Sequence, residues 1–376
     1  MAPLKILQII DDRCCEAIAN FVVDQCEALA NLGHQIILLE QSKQDIDEKA
    51  VTMKSEKELR ASISHISQLP ANIFRFAKYI KRIQPDIIVV HQGESHFVAA
   101  FGILKSGLKI PLVRFRWDNR PRGISILARW VTKYLTAGVG VPSERAREYV
   151  LRHFKLSRIK TFYPAIDTSY YKPREKDQAF ARKLGLKPQE IIIGLVGRLE
   201  IDGGHRHFIE ASKLASLRNP NIKFIVAGKD GSVKADHLKI LVEKWRLSNR
   251  YIFIGHHQDI RQVMSLFDIG VVTTAGFKPI SRVLLEYMAI GIPVIATGIN
   301  QSPEILGNNG LLVPPGDPVA MAEAIGKLAQ DQKLRQSLGH KGLTVAADCY
   351  TIAQLGKQSE SFFQEIMGGT NQSLSQ

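Results

Sequence analysis

The sequence predicts an α/β protein of two doubly wound, Rossmann-like domains, each a parallel sheet covered by helices on both faces. Three observations predict it. Short continuous apolar runs alternate with amphipathic stretches almost throughout the chain, the pattern of parallel strands joined by crossover helices. The alternation pauses at the polar, turn-rich segment Asp167 to Lys176 and then restarts, as at a linker. A chain of 376 residues with 45% hydrophobic content is long enough for two ordinary cores.

In the first half, Leu4–Ile10 reads as a buried strand. Glu16–Leu32 reads as a helix stopped by Gly33, and Gln35–Glu40 as the next strand. Residues 43–70 are polar and poorly patterned, so a variable helix or loop is expected there. Ala71–Ile83 reads as a helix and Asp86–Val90 as a strand ending at His91. Ser95–Lys105 is helical, Pro111–Phe115 a strand, Ile124–Leu135 a helix and Ala137–Val141 a strand. Ser143 caps a helix running to Phe154. In the second half, Ile191–Val196, Ile222–Ala227, Tyr251–Ile254, Ile269–Val272 and Pro293–Ala296 read as strands with helices between them. Thr351–Met367 is a last amphipathic helix. The expected domains are residues 1–168, joined by the C-terminal helix 351–367, and residues 169–350. Ligands of such sheets sit at the carboxyl ends of the strands, here in a cleft between the two domains.

Fifty Lys+Arg against 36 Asp+Glu leave a net charge of +14, an excess that attracts anionic partners. Lys105 to Lys160 holds fourteen basic residues against three acids, Asp118, Glu144 and Glu148. Aromatic residues interleave with the cations in Arg114-Phe115-Arg116-Trp117 and Arg129-Trp130, which favours a surface lying on an anionic membrane. No nucleic-acid-binding module is recognisable, so nucleic acid is not an expected partner. Charged residues at 23% exclude a mostly disordered chain. Cys14, Cys15, Cys26 and Cys349 lack metal-ligand spacing and are too few for a disulfide framework, so a reduced, cytoplasmic compartment is expected. The apolar run Leu4–Ile10 is too short for a signal peptide or a membrane span. Membrane contact is therefore expected to be peripheral, on the inner face of the cytoplasmic membrane.

Chemistry concentrates where strands end. Ile191–Val196 runs into Gly197-Arg198, then Asp202-Gly203-Gly204-His205 and a helix. Amides at such a helix start bind phosphate, and an arginine makes bidentate charged hydrogen bonds to a diphosphate. The spacing is not the G-x-G-x-x-G dinucleotide fingerprint. Further on, Ser281 is placed to cap a helix containing Arg282, Val283 and Glu286. A carboxylate there suits ribose hydroxyls, as acidic residues do in nucleotide sites.

From about Ile191 to Glu323 the chain resembles glycosyltransferase family 4, the retaining GT-B enzymes that use nucleotide-sugar donors. The matching pieces are Val196-Gly197-Arg198-Leu199, Gly204-His205, Val226-Ala227-Gly228, Phe253-Ile254-Gly255, Arg282 to Ala289, Gly291 to Thr297, Pro303-Glu304-Ile305 and Gly310 to Asp317. Looser matches in the first half are Leu4 to Leu7, Gly33-His34, Pro85 to His91 and Tyr163 to Asp167. The resemblance implies a GT-B fold of two facing Rossmann-like domains, with the C-terminal helix crossing back to the first. It implies that Gly197, Arg198, Gly203, Gly204, Ser281, Arg282 and Val283 surround the donor diphosphate, and that Glu286 holds the ribose. It also implies transfer with retention, in which the leaving diphosphate helps take the acceptor proton. No metal or other cofactor is then required; the nucleotide-sugar is a substrate.

The chain departs from the family in three places. Lys278 stands where the first glutamate of Glu-x7-Glu belongs. Gly203 stands where a diphosphate-binding lysine belongs. Cys14-Cys15 replaces the glycine pair of the first turn. A cation gained at Lys278 is expected to compensate for the one lost at 203, reaching the diphosphate from the other side. On the acceptor side, Glu94, His96 and Asp118 are candidates to orient the acceptor hydroxyl as catalytic residues beside Arg198. His91, Arg114, Arg116 and Arg120 are candidates to bind an acceptor phosphate or lipid headgroup. The expected function is transfer of a sugar from a nucleotide-diphosphate donor to a glycan or glycolipid precursor of the lipopolysaccharide, O-antigen or capsule type. Two alternatives are a catalytically degenerate homologue that binds glycan or partners, favoured by Lys278 and Gly203, and a sugar-nucleotide epimerase. The first predicts no hydrolysis of nucleotide-sugars and no thermal shift with nucleotides. The second predicts product from the nucleotide-sugar alone.

Overall fold

A computed structural model describes residues 2–10, 15–40, 54–55, 69–117, 126–154, 156, 158–276 and 282–372. The chain divides into two compact units, Met1–Ala165 with Ile352–Gln376, and Ile166–Thr351.

The first unit contains β1 (Lys5–Ile10), α1 (Glu16–Asn31), β2 (Gln35–Glu40), β3 (Lys54–Ser55), α2 (Leu69–Ile83), β4 (Ile87–Val90) and α3 (Gly93–Ser106). These are followed by β5 (Leu112–Phe115), α4 (Ile126–Tyr134), β6 (Gly138–Val141), α5 (Glu144–Phe154) and β7 (Ile159–Thr161). Its seven strands pair in the order β3-β2-β1-β4-β5-β6-β7, and every pairing is parallel. The apolar runs became strands because both sheet faces are covered: β4 and β6 are buried at every residue. Leu7, Ile9, Ile88 and Val90 pack with Phe76, Tyr79 and Val98 from α2 and α3. Gly33 adopts φ 91° just past α1, the left-handed stop that glycine tolerates best. Ser143 accepts the Ala146 N–H at 3.1 Å, capping α5.

The second unit opens with α6 (Gln178–Lys183), β8 (Ile191–Val196), α7 (His205–Arg218), β9 (Ile222–Ala227), α8 (Ala235–Lys244) and β10 (Tyr251–Gly255). It continues with α9 (Ile260–Met264), β11 (Ile269–Val272), α10 (Arg282–Ile290), β12 (Val294–Thr297), α11 (Ser302–Leu306), β13 (Leu311–Val313), α12 (Pro318–Gln330) and α13 (Gln332–Cys349). Its six strands pair in the order β10-β9-β8-β11-β12-β13, again all parallel. Two strand glycines make room for rings: a Cβ at Gly194 would lie 2.0 Å from Phe267, and one at Gly270 2.6 Å from Tyr287. The sequence order reverses between β8 and β11, the topological switch point at which such sheets bind ligands.

The final helix, α14 (Ile352–Gln372), returns to the first unit and lies along α1. Gln25 donates to Ser359 Oγ at 2.9 Å, His34 pairs with Glu360 at 3.3 Å, and Phe362 and Ile366 fill the space over Gly138. None of the helices among the described residues is long and apolar enough to cross a membrane.

Candidate active site

In the second unit the candidate residues gather at the carboxyl ends of β8 and β11. Past β8, Gly197 adopts φ 153° and Arg198 follows, with its side chain 64% exposed. Arg198 Nε pairs with Glu200 at 3.0 Å. Glu200 in turn accepts the Ser232 N–H at 3.2 Å and its hydroxyl at 2.5 Å. The guanidinium thus stands at the strand end on a carboxylate that is itself anchored.

Residues 201–203 form a single 3₁₀ turn, and Gly204, at φ 69°, begins α7. This turn is locked to the end of β11. Thr273 Oγ1 donates to the Gly203 carbonyl at 2.5 Å, and Ala275 N–H donates to the Asp202 carbonyl at 2.8 Å. A Cβ at Gly204 would lie 1.7 Å from the Thr273 carbonyl oxygen. Gly203 is buried, and a Cβ there would lie 2.6 Å from His205 Nε2. The lysine of the family pattern therefore has no room at 203 unless the His205 ring moves.

Helix α10 carries Arg282 and Val283 in its first turn, both half-buried, and Glu286 one turn on. Tyr287, fully buried, ties this helix to β8: its hydroxyl accepts the Val196 N–H at 2.9 Å and donates to the Gly194 carbonyl at 3.3 Å. The residue before the phosphate-type turn is thereby fixed to the residue after Glu286. Burial holds the Glu286 carboxyl above its ordinary pKa, partly offset by the Arg282 guanidinium and by a hydrogen bond from the Tyr171 hydroxyl. Tyr171 and Tyr287 were not singled out from the sequence. Tyr287 lay inside a quoted motif, and Tyr171 inside the segment read as a linker. That segment belongs to the second unit.

In the first unit, His91 follows β4 and is buried in a chain of side-chain hydrogen bonds. Trp117 Nε1 donates to His91 Nδ1 at 3.3 Å, so His91 Nε2 carries the proton and donates to Gln8 Oε1 at 2.9 Å. Gln8 passes a donor to Gln25 at 3.0 Å, and Gln25 one to Ser359 at 2.9 Å. Burial, with Arg114 second, pushes the His91 pKa down to about 3, so this imidazole is neutral. Both ring nitrogens are committed, and His91 is a core histidine rather than an anion ligand. His96 is also buried, with Nε2 at 2.8 Å from Thr136 Oγ1. Burial, Arg114 and Arg116 hold it well below the usual histidine range. We assign it to packing of α3 rather than to acid–base work.

Glu94 is half-buried in the first turn of α3. Arg114 Nη1 donates to the Gln92 carbonyl beside it. Arg116 lies over the rings of Tyr149 and Phe154, 5.7 and 5.2 Å from their centroids. The expected basic-aromatic surface at Arg114 to Trp117 is corrected here. Phe115 and Trp117 are buried on one side of the strand with Phe21 and His91, because successive strand residues point to opposite faces. On α4, Ile126 (88% exposed), Leu127, Trp130 (44%) and Tyr134 (60%) lie open, as do Arg129 and Lys133 on the same helix. Asp118, Arg120, Lys278 and Ser281 lie outside the described residues.

Two family models match in tandem: Glycosyltransferase Family 4 over residues 18–170 and Glycosyl transferases group 1 over residues 190–331. The chain belongs to glycosyltransferase family 4. This family 4 glycosyltransferase is 27% identical over 251 residues to alpha-D-kanosaminyltransferase of Streptomyces kanamyceticus, a match covering 64% of this chain and 64% of that one. The chain therefore spans just under two thirds of that relative's length. It is 23% identical to the capsular polysaccharide biosynthesis glycosyltransferase CapM of Staphylococcus aureus, over 89% of this chain and 93% of that one. Among solved structures, Anabaena HepE in complex with UDP-glucose superposes with a TM-score of 0.76 at 20% identity, covering 96% of this chain and all of that one. That likeness bears on the fold, which is GT-B.

Proposed function

We propose that this chain transfers a sugar from a nucleotide-diphosphate donor to a glycan or glycolipid precursor of the lipopolysaccharide, O-antigen or capsule type, with retention at the anomeric carbon. One observation carries the reading. At the switch point of the second unit, the Gly197-Arg198 turn and the helix bearing Arg282 and Glu286 are bound together through Tyr287. An anionic ligand with a hydroxylated ring suits that combination of cation, helix-start amides and carboxylate. Support also comes from HepE, whose structure holds UDP-glucose, and from CapM, named for capsular polysaccharide.

In this reading Arg198 and the first-turn amides of α10 stabilise the charge that grows on the leaving diphosphate, and Glu286 receives ribose hydroxyls. The bond from the anomeric carbon to the diphosphate oxygen breaks as the acceptor oxygen bonds on the same face. The acceptor proton passes to the leaving phosphate oxygen. No metal enters this scheme, so turnover is expected to survive EDTA. Glu94, Arg114 and Arg116 are proposed for the acceptor side, and the open face of α4 for contact with an anionic membrane surface.

A donor screen tests the reading: the purified chain is incubated with UDP-, GDP- and ADP-sugars and with lipid-linked or core-oligosaccharide acceptors, and products are weighed by mass spectrometry. One donor is expected to give an acceptor heavier by one sugar, with the anomeric configuration kept. A product formed from the nucleotide-sugar alone would instead indicate epimerisation. The absence of the family's cation at Gly203, where a Cβ would press on the His205 ring, favours a second reading as a binding protein. No turnover on any donor together with no thermal shift on UDP, GDP or ADP would select it.

A further inference from the structure

Ahead of α6, the opening segment of the second unit carries a phenol that hydrogen-bonds Glu286. Tyr171 donates its hydroxyl to that carboxylate, and the backbone carrying it is fixed on two sides. Asp167 Oδ1 accepts the N–H groups of Ser169 and Tyr170 at 2.9 and 3.2 Å and the Ser169 hydroxyl at 2.6 Å. The Tyr171 N–H donates to the Asp167 carbonyl at 2.8 Å. From the other side, the Arg261 guanidinium lies 3.6 Å from the Tyr170 ring centroid and donates to the Tyr170 carbonyl at 3.2 Å. Arg261 is itself gripped by both oxygens of Asp259, at 2.7 and 3.0 Å. The rings of Tyr170 and Tyr171 meet edge-on at 5.1 Å. So many fixed contacts on a turn with no regular secondary structure point to a side chain that must be held in one place.

We propose that Tyr171 is a positioning residue of the donor site: its phenol holds one carboxylate oxygen of Glu286 so that the other is presented to the ribose hydroxyls of a nucleoside diphosphate. The inference rests on the donor-site reading above. A carboxylate has about four lone-pair sites, so it accepts the phenol and a ribose hydroxyl together. Holding its rotamer beforehand removes ordering that binding would otherwise require. Burial raises the Glu286 pKa; Arg282, one turn earlier on the same helix, opposes that shift, and the phenol acts in the same direction as Arg282.

The test uses the full chain. UDP, GDP and ADP are titrated calorimetrically, and the tightest is compared with its 2′,3′-dideoxy form in the parent, in Tyr171→Phe and in Glu286→Ala with and without Tyr171→Phe. Tyr171→Phe is expected to weaken the ribonucleotide about tenfold and the dideoxy form by less than about twofold, close to no effect. In the Glu286→Ala background the added Tyr171→Phe is expected to change nothing. Equal losses on both nucleotide forms, additive losses in the double variant, or unchanged or tighter binding by Tyr171→Phe would each overturn the proposal while leaving the donor-site reading intact. A parent chain that binds none of the three nucleotides would overturn both.

Discussion

The Tyr287 hydroxyl accepts the Val196 backbone N–H at 2.9 Å across 91 residues of sequence. The same hydroxyl donates to the Gly194 carbonyl at 3.3 Å. One buried phenol therefore spans the last turn of a strand and the middle of a helix, and it sets where Gly197-Arg198 stands relative to Glu286. Tyr287→Phe leaves the N–H of Val196, at the half-buried end of β8, without its acceptor. We expect a loss of about 1–3 kcal/mol in urea unfolding and a several-fold drop in nucleotide affinity, roughly 1 kcal/mol. A variant as stable as the parent would mean that water replaces the phenol.

Gly204 combines φ 69° with a Cβ position 1.7 Å from the Thr273 carbonyl oxygen. Backbone and side chain both exclude alanine there. Gly204→Ala is expected to destabilise the chain by about 3 kcal/mol or more and to displace the start of α7 from the end of β11. Thermal unfolding and nucleotide titration on the same sample measure the two effects. By contrast Gly185, also at positive φ but with open space around it, is expected to lose only about 1 kcal/mol on the same change.

Burial, with Arg114 second, takes the His91 pKa down to about 3. The unfolded chain binds a proton at that residue below roughly 6.5, whereas the folded chain does not until far lower pH. The stability that the neutral ring contributes is complete above the unfolded value and is lost as pH falls from about 6.5 toward 3. The expected slope is about 1.4 kcal/mol per pH unit from this group. His96 adds in the same direction. His91→Asn is expected to flatten the slope of unfolding free energy between pH 6 and 4. An unchanged slope would show that another group carries the acid sensitivity.

Ile126, Leu127, Trp130 and Tyr134 form an open apolar stripe on α4, with Arg129 and Lys133 beside it. Sedimentation with vesicles of anionic and of zwitterionic lipid tests the proposed membrane contact. Binding is expected on anionic vesicles, reduced by Trp130→Ser through lost apolar area and by Arg129→Gln with Lys133→Gln through lost charge. The charge variant is expected to respond to salt less than the parent. Equal binding by all variants would remove α4 from the account.

Where an element buries both faces, its residues announce it. The strands Gln35–Glu40, Ile191–Val196, Ile222–Ala227 and Ile269–Val272 have the same bounds in sequence and structure. Strands Ile159–Thr161 and Leu311–Val313 were not read as strands. Each is three residues long at a sheet edge, partly exposed, and too short to show a period. Arg198 and Glu286 were legible because local motifs bring them to a strand end and a helix start. The partners of these residues were not, because they come from distant parts of the chain. Tyr171 sits in a polar run that looks like a spacer, and only the Asp167 turn and the Arg261 stack reveal its aim. His96 shows the converse: beside Glu94 at a strand end it has the pattern of a site residue, yet Thr136, 40 residues away, claims its ring.

We propose that the end of β8 and the start of α10 form one nucleotide site. Calorimetric titration of UDP, GDP and ADP into the parent, Arg198→Ala and Glu286→Ala tests it most directly. Arg198 is largely exposed and its ion pair with Glu200 contributes little to stability, so Arg198→Ala should melt with the parent. One nucleotide is expected to bind the parent, and each variant to lose about tenfold or more in affinity. A parent that binds none of the three, or variants that bind as tightly as the parent, would contradict the account.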